Sequence, residues 1–386
     1  MTPDARLAAA VEVLDQVLTG APIEKALTNW ARRSRFAGSG DRAAVRDLVF
    51  DAMRKKRSCA WSGGSETGRG LLLGLLRLRG ENLGAGFSGG RFGPAPVSSD
   101  EIAGFRDLTQ APEAVRFDCP DWLLPAIKKD YPSEAVSILS ALRDRAPVFL
   151  RVNQSQTTRD HARETLAEDE IETRHHPLVE TALEVTGNPR RVQNSKAFRD
   201  GLVELQDAAP QAAIEVLRDH LGEDVLDFCA GGGGKALAIT ALGARVTAHD
   251  ANAGRMNEIP ARARRAGVDI KVSEKVDGKF DCVLCDVPCS GTGAWRRQVE
   301  AKWRLTPKRL NELCRMQDEI LVDSSQFVGE GGTLCYMTCS LLKQENRERV
   351  EYFVGRSPGW EIVAERQFTP LDGGDGFYVA ILKQFS

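Results

Sequence analysis

From about residue 220 onward, short apolar runs recur with a loop and a helix-forming stretch between them: DVLDFCA, ARVTAHD, FDCVLCD, GTLCYMT and, near the end, FYVAILK. Runs this short can cross a sheet once each, and strands that return through helices line up parallel. The expected fold class is therefore α/β, a doubly wound and mostly parallel sheet over residues 213–386. In such sheets ligands sit beyond the carboxyl ends of the strands. The residues at those ends are the ones to read for chemistry.

The first 80 residues read instead as a small helical bundle. Leu7, Val11, Leu14 and Leu18 share one apolar face, and Val45, Leu48, Val49, Ala52 and Met53 share another. The second of these helices follows Ser39-Gly40-Asp41 as a cap and ends in Arg54-Lys55-Lys56-Arg57, where cations suit the helix dipole. That charge run reads equally as a solvated helix end and as a phosphate contact. The stretch GENLGAGFSGGRFGPAPVSS then reads as a flexible linker, placing a boundary near residue 80 and connecting helices over 81–145. VFLRVN, a helix around His161 to Ala167, and ALEVTG suggest a small β-α-β element within 146–212.

Bulk properties set few limits. With 386 residues and 42% hydrophobic content the chain can fill two or three cores. A net charge of −2 means that any nucleic acid must meet a local basic face. The N-terminal apolar stretch carries spaced acidic residues, unlike a leader, and no run is long enough to span a bilayer, so a cytoplasmic location is expected. Nine scattered cysteines point to reduced thiols, most of them buried.

After the first strand comes Cys229-Ala230-Gly231-Gly232-Gly233-Gly234-Lys235, a loop whose glycines let a cofactor approach the backbone. It lacks the Walker spacing, and alone it fits a dinucleotide, a nucleoside triphosphate, S-adenosylmethionine or a tight turn. Asp250 ends the second strand at the interval expected of an acid that binds ribose hydroxyls, so the two together favour an adenosine cofactor. Asp286 ends FDCVLCD, and Pro288-Cys289-Ser290-Gly291 then turns the chain, so that carboxylate and thiol can face one pocket. A zinc site of Cys282, Cys285 and Cys289 fails on geometry, because an odd separation within a strand sends side chains to opposite faces. No metal is expected.

Cys339 follows the run ending Tyr336-Met337-Thr338, and the helix after it is expected near Lys343, where its N-terminus would stabilise a thiolate. Two thiols at the ends of two buried strands, downstream of a cofactor loop, suit methyl transfer to a pyrimidine. Carbon 5 of cytosine is a poor nucleophile until a thiolate adds to carbon 6, and a second thiol would help release the product. On the residues alone either cysteine could attack.

The order of motifs resembles the RNA 5-methylcytosine methyltransferase family, in the form of bacterial 16S ribosomal RNA (cytosine-5) methyltransferases with a NusB-like N-terminal domain. The resemblance rests on DFCAGGGGK, AHDANAGRM, CDVPCSGTGAWRR, KWRLTP, MQDEIL, TCSLLKQEN and DGFYVAILK, with LRVN and FRDGLVELQD before them and SGDRAAVRDLVFDAMRKKR near the start. It implies a Rossmann-like S-adenosylmethionine-dependent methyltransferase domain preceded by a helical NusB-like domain and a small α+β RNA-binding subdomain around Arg151 and Asn153. It also implies Cys339 as the nucleophile and Cys289 as the releasing thiol. Asp250 goes to the ribose, Asp286 and Lys235 to the cofactor and cytosine pocket, and Arg255 with residues 229–235 to the cofactor. The implied partner is RNA, 16S rRNA in particular, with a monomer the expected state.

Gly231-Gly232 stands where the family has Ala-Pro, which should loosen the loop, and the acid near the adenine is either Glu274 or Asp277. Competing readings are a methyltransferase acting on another RNA base, or on protein, and an RNA-binding ribosome-assembly factor with a relic catalytic domain.

Overall fold

Five helices account for most of the first 78 residues of the computed structural model, which describes Met1–Phe385: α1 (Pro3–Leu18), α2 (Ile23–Arg33), α3 (Ser39–Arg54), α4 (Lys56–Gly63) and α5 (Gly68–Leu78). Leu7 and Leu14 of α1 and Val45, Val49, Ala52 and Met53 of α3 are buried in one core, whereas Val11, Leu18 and Leu48 are only partly covered. The same core takes Ile23, Ala26, Leu27 and Trp30, an i, i+3, i+4, i+7 stripe that makes α2 a further helix between the two expected ones. The cap of α3 is Gly38, whose amide donates to Asp41 at 3.1 Å, so Ser39 already lies inside the helix. A β-carbon on Gly74 would stand 1.9 Å from the carbonyl oxygen of Cys59, so α4 and α5 touch backbone to backbone.

This compact unit does not end near residue 80: it comprises Met1–Arg145 together with Trp295–Arg304. The Gly/Pro-rich stretch is packed rather than free. Phe87 is buried in the bundle core, Arg69 donates to the carbonyls of Ala95 and Pro96 at 3.0 Å each, and Ser88 donates to Asp4 at 2.9 Å. Glycine and proline here serve tight crossings over helices, which composition does not distinguish from a linker. The run Arg54 to Arg57 is neither a solvated end nor a free basic face. Arg54 bonds Asp51, Lys55 lies 3.9 Å from Asp144, Lys56 2.5 Å from Glu66, and Arg57 2.8 Å from Asp121.

The second unit comprises Ala146–Ala294 and Leu305 onward and holds two sheets. The smaller contains β1 (Val148–Val152), β2 (Thr173–His175), β3 (Ala182–Val185) and β4 (Val203–Leu205) in the order β2-β3-β1-β4, with every neighbour antiparallel. A helix, Arg159–Glu168, follows β1, but the strands after it form a hairpin, so this is not the expected β-α-β crossover.

The larger sheet contains β5 (Asp224–Asp227), β6 (Arg245–Ala248), β7 (Ile270–Val272), β8 (Phe280–Asp286), β9 (Val328–Thr338), β10 (Trp360–Phe368) and β11 (Phe377–Gln384), ordered β10-β11-β9-β8-β5-β6-β7. Strands β5 to β9 pair parallel, and β11 runs antiparallel between β9 and β10. Both faces are buried, which is why the strands read as continuous apolar runs. The chain moves outward from β5 to β7 and then returns to β8 on the other side. That reversal opens a crevice at the carboxyl ends of β5 and β8.

Candidate active site

Parallel pairing of β8 with β9 sets Asp286 level with Met337, so both strands release their chains at the same edge of the sheet. Cys289 comes three residues after β8 and Cys339 directly after β9. Their sulfur atoms stand 3.3 Å apart, and both thiols are free and half-buried. The hydrogen bond that its S–H gives to Cys339, followed by burial, pushes the Cys289 thiol well above the ordinary range. Cys289 thus keeps its proton beside its neighbour.

The turns that carry the two thiols are tied together. Gly293 N donates to Cys339 O at 3.0 Å, and a β-carbon on Gly293 would lie 2.1 Å from Gly376 O, so only glycine admits this approach. Thr292 Oγ1 receives the Leu341 amide at 2.8 Å. Between the turns lies the Glu345 side chain, with no exposed surface. Its carboxylate accepts from Ser290 N at 2.8 Å, Ser340 Oγ at 2.6 Å, Gln317 Nε2 at 3.1 Å and the Ser290 hydroxyl. Sequence reasoning missed Glu345 because it was assigned to the first turn of the following helix.

That helix begins only at Arg347, so Cys339 does not stand at a helix N-terminus and dipole stabilisation of its thiolate does not apply. Residues 340–346 form a loop held by Asn346, whose side chain receives the Thr338 hydroxyl at 2.5 Å and donates to Ser340 O at 2.9 Å. The charge near Cys339 comes instead from Lys235, whose ammonium interacts with it electrostatically.

Lys235 reaches across the crevice to Asp286, Nζ to Oδ2 at 2.5 Å, and lies 5.2 Å from the centre of the Phe377 ring. Burial works against its charge, but Asp286 outweighs burial and the pKa is raised. Asp227, at the end of β5, is a second residue that sequence reasoning passed over. It is 1% exposed, and among the described residues neither carboxylate oxygen has a hydrogen bond of good geometry, the Ala236 amide giving it only weak support. Burial pushes its pKa up to about 7, against the pull of Lys235. A carboxyl inside the apolar run DVLDFCA was the available signal.

The glycine loop lies next to it. Gly231 and Gly233 have φ of +51° and +78°, which favour glycine. The double glycine does not leave the loop loose. Gly231 N donates to Asp250 at 2.9 Å, Ala230 N to His249 O at 2.8 Å, and Arg262 bonds Gly232 O. Asp250 is buried, also accepts the Asn252 amide at 2.9 Å, and pairs with the exposed Arg255 at 2.9 Å. Burial pushes the half-buried Cys229 thiol far up, so it is inert.

Other expected residues lie elsewhere. Cys282 and Cys285 are fully buried in the cores on opposite faces of the sheet, as their odd separation requires. Glu274 and Asp277 are exposed beyond the end of β7. Arg151 and Asn153 are buried too deeply to form an RNA face. Arg151 donates to Gln206 and to Gly234 O at 2.7 Å each, and Asn153 donates to Gly201 O at 3.0 Å and Ala266 O at 2.8 Å. Arg151 thereby braces the smaller sheet against the glycine loop, and Asn153 braces it against the end of the helix Ile259–Ala266.

Residues 214–383 match the family model described as 16S rRNA methyltransferase RsmB/F, and residues 119–193 match the ferredoxin-like domain of RsmF/B-like methyltransferases. The ribosomal RNA small subunit methyltransferase B of Enterobacter sp. (strain 638) is 32% identical over 69% of this chain and 67% of its own length. That of Yersinia pestis bv. Antiqua (strain Angola) is 33% identical over 68% of this chain and 65% of its own. The chain thus spans about two thirds of each of these relatives. In fold it is similar to the crystal structure of PH0851, with TM-score 0.77 and 21% identity over 100% of this chain and 99% of that one. It is also similar to NSun6 from Pyrococcus horikoshii with SFG, with TM-score 0.62 and 17% identity over 69% of this chain and 98% of that one.

Proposed function

Since the chain belongs to the RsmB/F family of 16S rRNA methyltransferases, we propose that it methylates carbon 5 of a cytosine in 16S rRNA, with S-adenosylmethionine as donor, through a covalent bond to Cys339. The observation that carries this reading is the pair of free thiols 3.3 Å apart at the ends of adjacent parallel strands. A single nucleophilic step needs one thiol, and an addition followed by an elimination uses two.

The residues present fit the cofactor. Asp227 offers the donor's ammonium a buried carboxyl that takes no well-formed hydrogen bond among the described residues, Asp250 faces the glycine loop for the ribose, and Gly231 to Gly234 admit close backbone approach. Arg255 has to leave Asp250 for the ribose hydroxyls to take its place. When bound, the cofactor supplies an electrophilic methyl group on a sulfonium.

Having given up its proton to solvent, the Cys339 sulfur bonds to carbon 6 and pushes the π electrons of the ring toward carbon 5 and N3. The Lys235–Asp286 pair holds a proton for N3, which gains electron density as the bond forms and gives it back as the bond breaks. Once Cys339 is bonded to carbon, the largest of the interactions that hold Cys289 protonated is gone. Cys289 then ionises more readily and removes the proton on carbon 5, and elimination frees Cys339. The target base has to lie outside a stack for either sulfur to reach the ring.

The test uses 16S rRNA transcribed in vitro, S-adenosylmethionine and a denaturing gel. Cys289→Ala should accumulate a slow-migrating protein–RNA adduct, because addition proceeds while release stalls. Cys339→Ala should give neither adduct nor methylated RNA. An adduct that survives loss of Cys339, or undiminished methylation in both variants, would overturn the reading.

A further inference from the structure

We propose that Glu345 is the positioning residue that sets the distance between the two thiols, so that release of the product follows addition. This rests on the methyl-transfer reading above. One carboxylate, fully buried, grips the residue that follows each cysteine: Ser290 through its amide and hydroxyl, and Ser340 through its hydroxyl. Gln317, from the helix Pro307–Ser325, closes the arrangement from a third direction, donating to Glu345 at 3.1 Å and to Pro288 O at 2.9 Å. The backbone of Glu345 is held as well, its carbonyl receiving the Tyr336 hydroxyl at 2.6 Å.

The chain around each thiol explains why such a clamp is needed. Cys289 and Cys339 lie just beyond the last ladder bonds of their strands, so β8–β9 pairing fixes the strand ends but not the turns. Gly293 and Thr292 tie the turns together further along the chain, whereas Glu345 holds the residue directly after each sulfur, and a proton transfer tolerates displacement poorly. The hydrogen bonds of the Glu345 carboxylate go to Ser290, Ser340 and Gln317, and on the Cys289 thiol its charge acts only as a minor influence, behind the Cys339 hydrogen bond and burial. It acts through Ser290 and Ser340 and is not itself a catalytic group.

Glu345→Gln keeps the shape but turns one acceptor into an amide donor that faces donors. Product release should slow by roughly 10- to 100-fold, the scale for unmaking buried hydrogen bonds to a carboxylate. Addition, which needs only Cys339, should change by less than about threefold, within the spread of an exposed substitution. With both thiols present, the variant should therefore accumulate the adduct otherwise seen only in Cys289→Ala. Glu345→Asp should restore part of the release rate, and Ser290→Ala and Ser340→Ala should shift the same ratio in the same direction.

A substrate-free measurement accompanies the kinetics. Phenylarsine oxide joins two neighbouring thiols to one arsenic with loss of water. The parent protein should bind it at the pair, Cys289→Ala should not, and Glu345→Gln should bind it at least about tenfold more weakly, the same hydrogen-bond scale. Equal arsenical affinity in Glu345→Gln and parent, or addition and release slowed in equal proportion, would overturn the assignment. Arsenical binding that depends on Glu345 in a protein giving no adduct in Cys289→Ala would instead fail the methyl-transfer reading and leave the clamp standing as geometry alone.

Discussion

Two buried carboxyls, Glu345 and Asp227, receive opposite treatment. Glu345 takes donors from two turns and a helix, while Asp227, almost as deeply buried, takes no well-formed hydrogen bond among the described residues and only weak support from the Ala236 amide. Burying a carboxyl without partners is costly and is met by keeping its proton, which is why the Asp227 pKa rises to about 7. The thiol side of the site is thus finished by the protein itself. The glycine-loop side holds a deficit that a cationic group would remove.

Lys235 joins the two sides, pairing with Asp286 and acting on both Asp227 and Cys339. Its removal should therefore break the comparison most severely. Lys235→Met should lower single-turnover methyl transfer by roughly 10²- to 10³-fold, within the range for losing an acid–base group. A loss below about tenfold, on the same scale, would reduce the Lys235–Asp286 pair to a structural contact.

Asp227→Asn sharpens the contrast because its two effects have opposite signs. The donor should bind roughly 10- to 100-fold more weakly, the scale for one hydrogen bond to a charged group. The cofactor-free protein should become more stable. The sign follows from linkage: between the ordinary value of 3.8 and about 7 the folded protein binds the extra proton, so stability falls as pH rises through that window and stays low above it. The stability advantage of Asp227→Asn should be full above pH 7, shrink below it and vanish near pH 4. Melting curves across that range, with titration calorimetry of the donor, measure both effects. Weaker donor binding without the pH-dependent gain would mean that the carboxyl is satisfied in solution.

What was legible in the chain follows the same division. The thiols could be read because their position depends on strand ends, and strands that alternate with helices announce themselves as apolar runs. Glu345 could not, since its meaning lies in the convergence of residues 290, 317 and 340, which no local pattern encodes. The composition of KQEN fits a first helical turn, but Asn346 bonds back to Thr338 and Ser340 and delays the helix to Arg347. Gly/Pro content after residue 80 signalled a flexible backbone, whereas the structure uses it for close packing. Asp227 was visible as a letter and passed over as a strand residue, because nothing in a strand's pattern says whether a carboxyl has partners.

A third buried charge, in the helical unit, lies between the two extremes. Lys302 is 3% exposed and donates to Arg54 O at 3.2 Å, and its ammonium lies 5.9 Å and 4.7 Å from the centres of the Trp295 and Trp303 rings. Burial pulls its pKa down to about 8, with Asp118 opposing. The unfolded chain, with the ordinary lysine value of 10.5, then holds the proton that the folded one has lost, so this group makes stability rise as pH climbs from about 8 to 10.5. Burying the ammonium costs stability below that window. Lys302→Met keeps the stem against the two indoles and removes the charge, so it should raise stability at pH 7 by on the order of 1–2 kcal/mol, less than the full shift because the hydrogen bond to Arg54 is lost with it. The variant's advantage should fade above pH 10. If Lys302→Met melts lower than the parent at pH 7, the single hydrogen bond and the two rings satisfy the ammonium, and a partly partnered ion belongs with Glu345 rather than with Asp227.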